Sequence, residues 1–94
     1  MSVIAVNPRF RPGRLMITRN AKDVLPHMEV DAAIKRHLQG DWGDVCQSDG
    51  ELNEEALLNG DRLFSVYHTQ DNVKFWIITE SDRSATTVLL PSDY

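Results

Sequence analysis

Apolar positions in the last third of the chain fall into three short runs, residues 62–69, 73–80 and 85–90. Two polar stretches separate them: Gln70-Asp71-Asn72 and Ser81-Asp82-Arg83-Ser84. β-branched and aromatic residues fill the runs, and Asp, Asn and Ser fill the gaps, which predicts a three-strand antiparallel meander. Phe64 and Val66 share one face of the first strand, with Leu63 and Tyr67 on the other. In the second strand Phe75 and Ile77 oppose Trp76 and Ile78. Apolar groups on both faces place that strand in the middle of the sheet, covered at least partly on each side. The pattern predicts that Trp76 is the largest buried group, pressed beneath a helical lid.

Upstream the period changes. Val30, Ala33, Ile34, His37 and Leu38 recur at i, i+3, i+4, i+7 and i+8, a single apolar stripe on a helix. Asp31, Lys35, Arg36 and Gln39 fall off the stripe. Glu29 and Asp31 near its start, with Lys35, Arg36 and His37 near its end, complement the helix dipole. Gly40 is placed to end the helix. Shorter elements complete the reading: a strand over residues 14–18, a helical turn beginning at Ala21 with Asn20 as cap and Pro26 as stop, and a short helix over residues 54–59 capped by Asn53 and closed by Gly60. Residues 47–53 read as a polar turn. Residues 7–13, with two prolines and a glycine, read as a loop. Pro91 stops the last strand. The fold class expected is α+β in two layers, with helices on one face of an antiparallel sheet and the first strand on an edge of the meander. Residues 13–94 form one domain, and residues 1–12 are a flexible or edge-strand segment.

Composition narrows the function. The chain has 94 residues, which suits one domain, and a formal net charge of −4. Net acidity opposes non-specific nucleic-acid binding, whose strength comes from Lys and Arg neutralising phosphates. Arg9, Arg11, Arg14 and Arg19 form the one basic cluster. Cys46 is the single cysteine, so no intrachain disulfide forms and a reducing compartment is expected. No apolar stretch is long enough to cross a membrane, and residues 1–6 lack the basic lead of a signal peptide. The expected location is cytoplasmic, with no membrane partner. No glycine-rich phosphate loop, nucleophile elbow or zinc spacing is present, so neither a cofactor nor a metal is expected. A calcium loop over residues 44–55 fails, because starting at Asp44 puts Asp49 where glycine is required.

Three features carry candidate chemistry. In Asp41-Trp42-Gly43-Asp44, two carboxylates flank an aromatic plate on a tight turn, either a surface ligand pocket or a helix stop whose Trp42 folds onto the core. In residues 79–84, Glu80 and Asp82 with Arg83 can do acid–base work, hold a phosphate or simply build a turn. His37 sits inside the apolar stripe as a core histidine, or as a base with Asp41 at i+4. Asp41, Trp42, Asp44, Glu80, Asp82 and Arg83 together form the expected ligand or partner surface. His37, Glu80 and Arg83 are the catalytic alternative.

The segments Arg36-His37-Leu38-Gln39-Gly40-Asp41-Trp42-Gly43-Asp44, Gly60-Asp61-Arg62-Leu63-Phe64-Ser65-Val66-Tyr67 and Trp76-Ile77-Ile78-Thr79-Glu80-Ser81-Asp82-Arg83-Ser84, with Leu89-Leu90-Pro91-Ser92-Asp93-Tyr94, resemble small uncharacterised bacterial proteins described as plasmid-related or mobile-element proteins. The likeness spans residues 14–94. It implies a bacterial mobile-element setting and assigns no catalytic residue. The order of elements is also similar to the RelE/ParE-type toxin fold, whose members are basic, unlike this chain. The function expected is a non-enzymatic accessory or interaction module with an unidentified protein partner. A toxin-type nuclease and a homodimeric structural module are the alternatives, the chain being monomer or homodimer.

Overall fold

The computed structural model describes residues 7–94. The chain runs β1 (Arg14–Ile17), α1 (Arg19–Val24), α2 (His27–Leu38), α3 (Gln47–Asn59), β2 (Leu63–His68), β3 (Lys74–Thr79) and β4 (Ala85–Leu89), then a 3-10 turn over Pro91–Asp93. Three helices and a four-stranded sheet make an α+β domain. The suggestion that residues 1–6 add an edge strand or trail as a tail lies outside the described residues.

The meander forms as its alternation predicts, with β3 between β2 and β4. The sheet is not wholly antiparallel. Its order is β1-β4-β3-β2, and β1 lies parallel to β4, Arg14 opposite Ala85 and Ile17 opposite Val88. A parallel neighbour requires a long crossover, and all three helices and two strands lie within this one.

The α2 stripe is buried as expected: Val30, Ala33, Ile34, His37 and Leu38 face the sheet. They meet Tyr67, Phe75, Ile77 and Val88 in the main core, joined by Ala21 and Leu25. A second cluster of Trp42, Ala56 and Leu63 lies beside it. Phe10 packs against both clusters.

Several local expectations are corrected. Thr18, not Asn20, caps α1, its hydroxyl accepting from the Ala21 N–H at 3.2 Å. Pro26 both ends that turn and starts α2, its fixed φ suiting a helix entry. Residues 47–53 are helical, so α3 is twice the length expected and Asn53 is a buried interior residue rather than a cap. Gly60 closes α3 with φ +73.

Trp76 is the main reversal. It is only partly buried and lies on the face away from α2, against Phe64 (ring centroids 4.9 Å apart) and Tyr94 (5.7 Å). Leu63, Ser65, Tyr67, Phe75, Ile77 and Thr79 form the helix-covered face instead. With apolar groups on both faces, alternation fixes the two sets but not which one the helices choose. The deeply buried indole is Trp42, at 6 % exposure.

Candidate functional site

Of the six residues expected to form one surface, Asp41 and Asp44 lie toward the His68 end of β2 and Glu80, Asp82 and Arg83 toward its Leu63 end, while the Trp42 side chain packs against Ala56 and Leu63. Asp41 follows α2 and is held there by Arg36, whose guanidinium donates to both carboxylate oxygens at 2.8 and 3.2 Å. The hydrogen bond from Arg36 holds the Asp41 carboxyl below its usual range. The Asp41 carbonyl accepts from the Tyr67 hydroxyl at 2.6 Å, and burial raises the Tyr67 phenol. Asp44 lies at the His68 end of β2, 2.7 Å from the His68 ring. Trp42 turns inward, and its indole N–H donates to Glu54, which also takes a bidentate bond from Arg9.

Glu80 lies at the opposite end of β2, where its carboxylate is 3.7 Å from Arg62. The Ser84 hydroxyl, and after it the Ser84 N–H that donates to the Asp82 carboxylate, hold the Asp82 pKa below its usual range, a local turn arrangement. Arg83 does not pair with the Glu80 carboxylate. Its guanidinium donates to the backbone carbonyls of Asp61 (2.6 Å), Glu80 (3.1 Å), Ala56 (3.2 Å) and Ser81 (3.4 Å). It also lies 5.8 Å from the Phe10 ring, which stacks on Trp42. Arg83 is thus a cross-link that ties the β3–β4 turn to the end of α3.

His37 is completely enclosed, with 0 % exposure. Its Nδ1 lies 2.6 Å from the Ser65 hydroxyl and its Nε2 2.8 Å from that of Thr79. Thr79 lies 2.8 Å from Thr86, which donates to the Pro12 carbonyl. Both ring nitrogens are therefore satisfied by a chain of hydroxyls crossing three strands. Burial, and then the nearby Arg83 charge, drive the His37 pKa down to about 3. The ring is neutral at physiological pH. Asp41, proposed as its orienting partner, is engaged by Arg36. Among the described residues no group of His, Cys, Asp and Glu is arranged to hold a metal ion.

The two edges of the sheet differ sharply. Along β2 the backbone is closed off at Phe64 and Val66. The Val66 N–H donates to the Trp42 carbonyl and the Val66 carbonyl accepts from the Asp44 N–H, so the Asp41–Asp44 turn acts as a one-residue fifth strand. The Asn53 side chain then bonds both backbone groups of Phe64.

Along β1 nothing of the kind occurs among the described residues. The Arg14 and Thr18 N–H groups donate inward to Ser84 and Val88. The alternation of a strand therefore turns the N–H and C=O of Leu15 and Ile17 outward. Leu15, Met16 and Ile17 are 43, 47 and 39 % exposed. Leu15 and Ile17, with Leu25, Val30, Ile34 and Val88, line a groove of about 520 Å³ between β1 and α2, flanked by Lys22 and Asp31.

Sequence reasoning picked out the charged turns and raised an exposed sheet edge or apolar patch only as a route to the homodimer alternative, without locating it on β1. The available signal was Leu15-Met16-Ile17 itself, three consecutive apolar residues with none of the charges that usually protect an edge. No helix among the described residues is long and apolar enough to cross a membrane. Compared with known proteins, the chain matches no family, no curated protein and no solved structure.

Proposed function

We propose that the chain is a non-enzymatic interaction module that binds a protein partner through the open β1 edge and the groove beside it. One observation carries this reading: Asn53 and the Asp41–Asp44 turn cover Phe64 and Val66 on β2, while among the described residues no backbone group pairs with the outer side of β1, which apolar side chains flank. Strand addition draws affinity from such backbone groups and specificity from adjoining pockets. Natural folds blunt open edges with charge, proline or a covering element. Among the described residues the centre of β1 carries none of these.

The polar residues first considered as a site support the same reading by their occupations. Arg83 is spent on four carbonyls, Asp41 on Arg36, and His37 on two buried hydroxyls. A toxin-type nuclease needs a reachable base, and His37 has no path to solvent. The setting we propose is the bacterial cytoplasm, as part of a mobile element, on the strength of the three motif-bearing segments and the single cysteine.

A photo-crosslinking residue placed at Met16, with Glu51 on α3 as the control position, tests the reading in producing cells. Adducts formed at position 16 and not at 51 are expected. An absence of adducts at position 16 would overturn it.

A further inference from the structure

We infer that the strand completing the open edge is β1 of a second copy of the chain, running antiparallel about a two-fold axis at Met16. This rests on the reading of β1 as the docking edge and names its occupant.

The backbone register is self-complementary. The outward groups belong to Leu15 and Ile17, since Arg14 and Thr18 bond inward. An axis through Met16 sets Leu15 opposite the partner's Ile17, and Ile17 opposite the partner's Leu15. Each is then a hydrogen-bonded pair of an antiparallel ladder, and every outward N–H and C=O finds a partner. Met16 meets the partner's Met16 at the non-bonded position between them.

The charges agree with this register. Arg14 falls opposite the partner's Thr18, so no like charges face each other across the pair. Leu15 and Ile17 line the groove in each copy, so the two grooves join into one apolar floor on the helical side of a continuous eight-stranded sheet.

Pairing the two edges covers the exposed parts of Leu15, Met16 and Ile17 in both copies together with the groove beside them. The sealed β2 edge determines the stoichiometry. A chain with two open edges adds copies without limit, whereas a single open edge closes at two.

Sedimentation across micromolar to near-millimolar concentrations, combined with three variants, tests the inference. In a Cys46→Ser background, Met16→Cys should form an interchain disulfide on mild oxidation, because a non-bonded antiparallel pair places its Cα atoms about 4.5 Å apart, within disulfide range. Glu51→Cys in the same background should not. Met16→Lys puts like charges on the axis and should weaken dimerisation by tenfold or more while leaving far-UV circular dichroism unchanged. Ile17→Pro removes only an outward N–H and should have the same effect.

A monomer at every concentration, with Met16→Cys cross-linking no faster than Glu51→Cys, overturns the inference. So does a dimer indifferent to both Met16→Lys and Ile17→Pro, which would associate through another face. If the photo-crosslinks at position 16 join a different protein while the chain sediments as a monomer, the docking edge stands and the second copy falls.

Discussion

The Asn53 side chain bonds the backbone of Phe64 as a neighbouring strand would: its amide N–H donates to the Phe64 carbonyl at 2.7 Å, and its carbonyl accepts from the Phe64 N–H at 3.0 Å. Asn53→Ala removes both bonds at a position only 5 % exposed. Leaving a buried donor and acceptor unmet costs roughly 1–3 kcal/mol each before water re-enters. A net loss of about 2–4 kcal/mol is expected from urea unfolding. Asn53→Asp keeps an acceptor for the Phe64 N–H but sets an oxygen against the Phe64 carbonyl, and should recover little of the loss.

The enclosed His37 makes stability depend on pH. Its folded pKa, about 3, lies below the ordinary value of 6.5. Below pH 6.5 the unfolded chain therefore takes up a proton that the native state refuses. Stability is highest above that pH and should fall by about 1.4 kcal/mol per unit on acidification, until the native ring also titrates near pH 3. Asp41 and Glu54, held low by Arg36 and Arg9, titrate below the interval from pH 6.5 to 5, and comparison with a His37 variant isolates the effect there. Chemical denaturation across the interval should show the slope in the native sequence and its absence in His37→Gln.

The two tryptophans should report opposite environments. Trp42 is buried with its N–H bonded to Glu54, whereas Trp76 stands against Phe64 and Tyr94 on the outer face. Acrylamide should quench Trp76 well and Trp42 poorly, as measured on the single Trp→Phe variants. Trp42→Ala should cost roughly 3–5 kcal/mol, and Trp76→Ala about half of that.

Arg83 holds four carbonyls with one planar fork, at a backbone φ of +60. Arg83→Ala should cost roughly 2–3 kcal/mol, and Arg83→Lys should recover little, since an ammonium cannot span the same acceptors. Expression should leave cellular RNA intact with either the native sequence or the Arg83→Ala variant. RNA cleavage that depends on Arg83 would restore the nuclease alternative.

Gly43 and Gly60 share a left-handed backbone but not their surroundings. A Cβ at Gly43 would lie 2.0 Å from the Val66 carbonyl oxygen, while one at Gly60 meets nothing within 4 Å. Gly60→Ala should therefore cost only the backbone strain, about 1–2 kcal/mol. Gly43→Ala adds a clash with the strand it seals, and a loss of roughly 3 kcal/mol or more is expected in thermal unfolding.

The parts of the fold that were legible in the sequence are those with a local period. The α2 stripe and the three strands of the meander follow directly from spacings of 3.6 and 2. The first half of α3 did not, because Gly50 within a polar run imitates a turn, and Cys46 starts the helix without a side-chain cap bond. The β1–β4 pairing joins distant residues and leaves no local trace. The hydroxyl chain from Ser65 through His37 to Thr86 was hidden for another reason. Alternation assigns Ser and Thr to water, and only a buried ring with two nitrogens to satisfy brings them inward. The charged turns drew functional readings because carboxylates next to an arginine look like chemistry. In space Asp41, Asp82 and Arg83 are occupied with holding backbone and neighbours in place.

The pairing of β1 with β4 also dictates a schedule. Arg14 leaves the ribosome 71 positions ahead of Ala85, the residue it must lie against. Throughout that interval the nascent Leu15-Met16-Ile17 lacks β4, its one neighbour among the described residues. A stalled or truncated product ending before Ala85 would carry this sticky tripeptide without the strand that holds it, a ready target for chaperones and proteases.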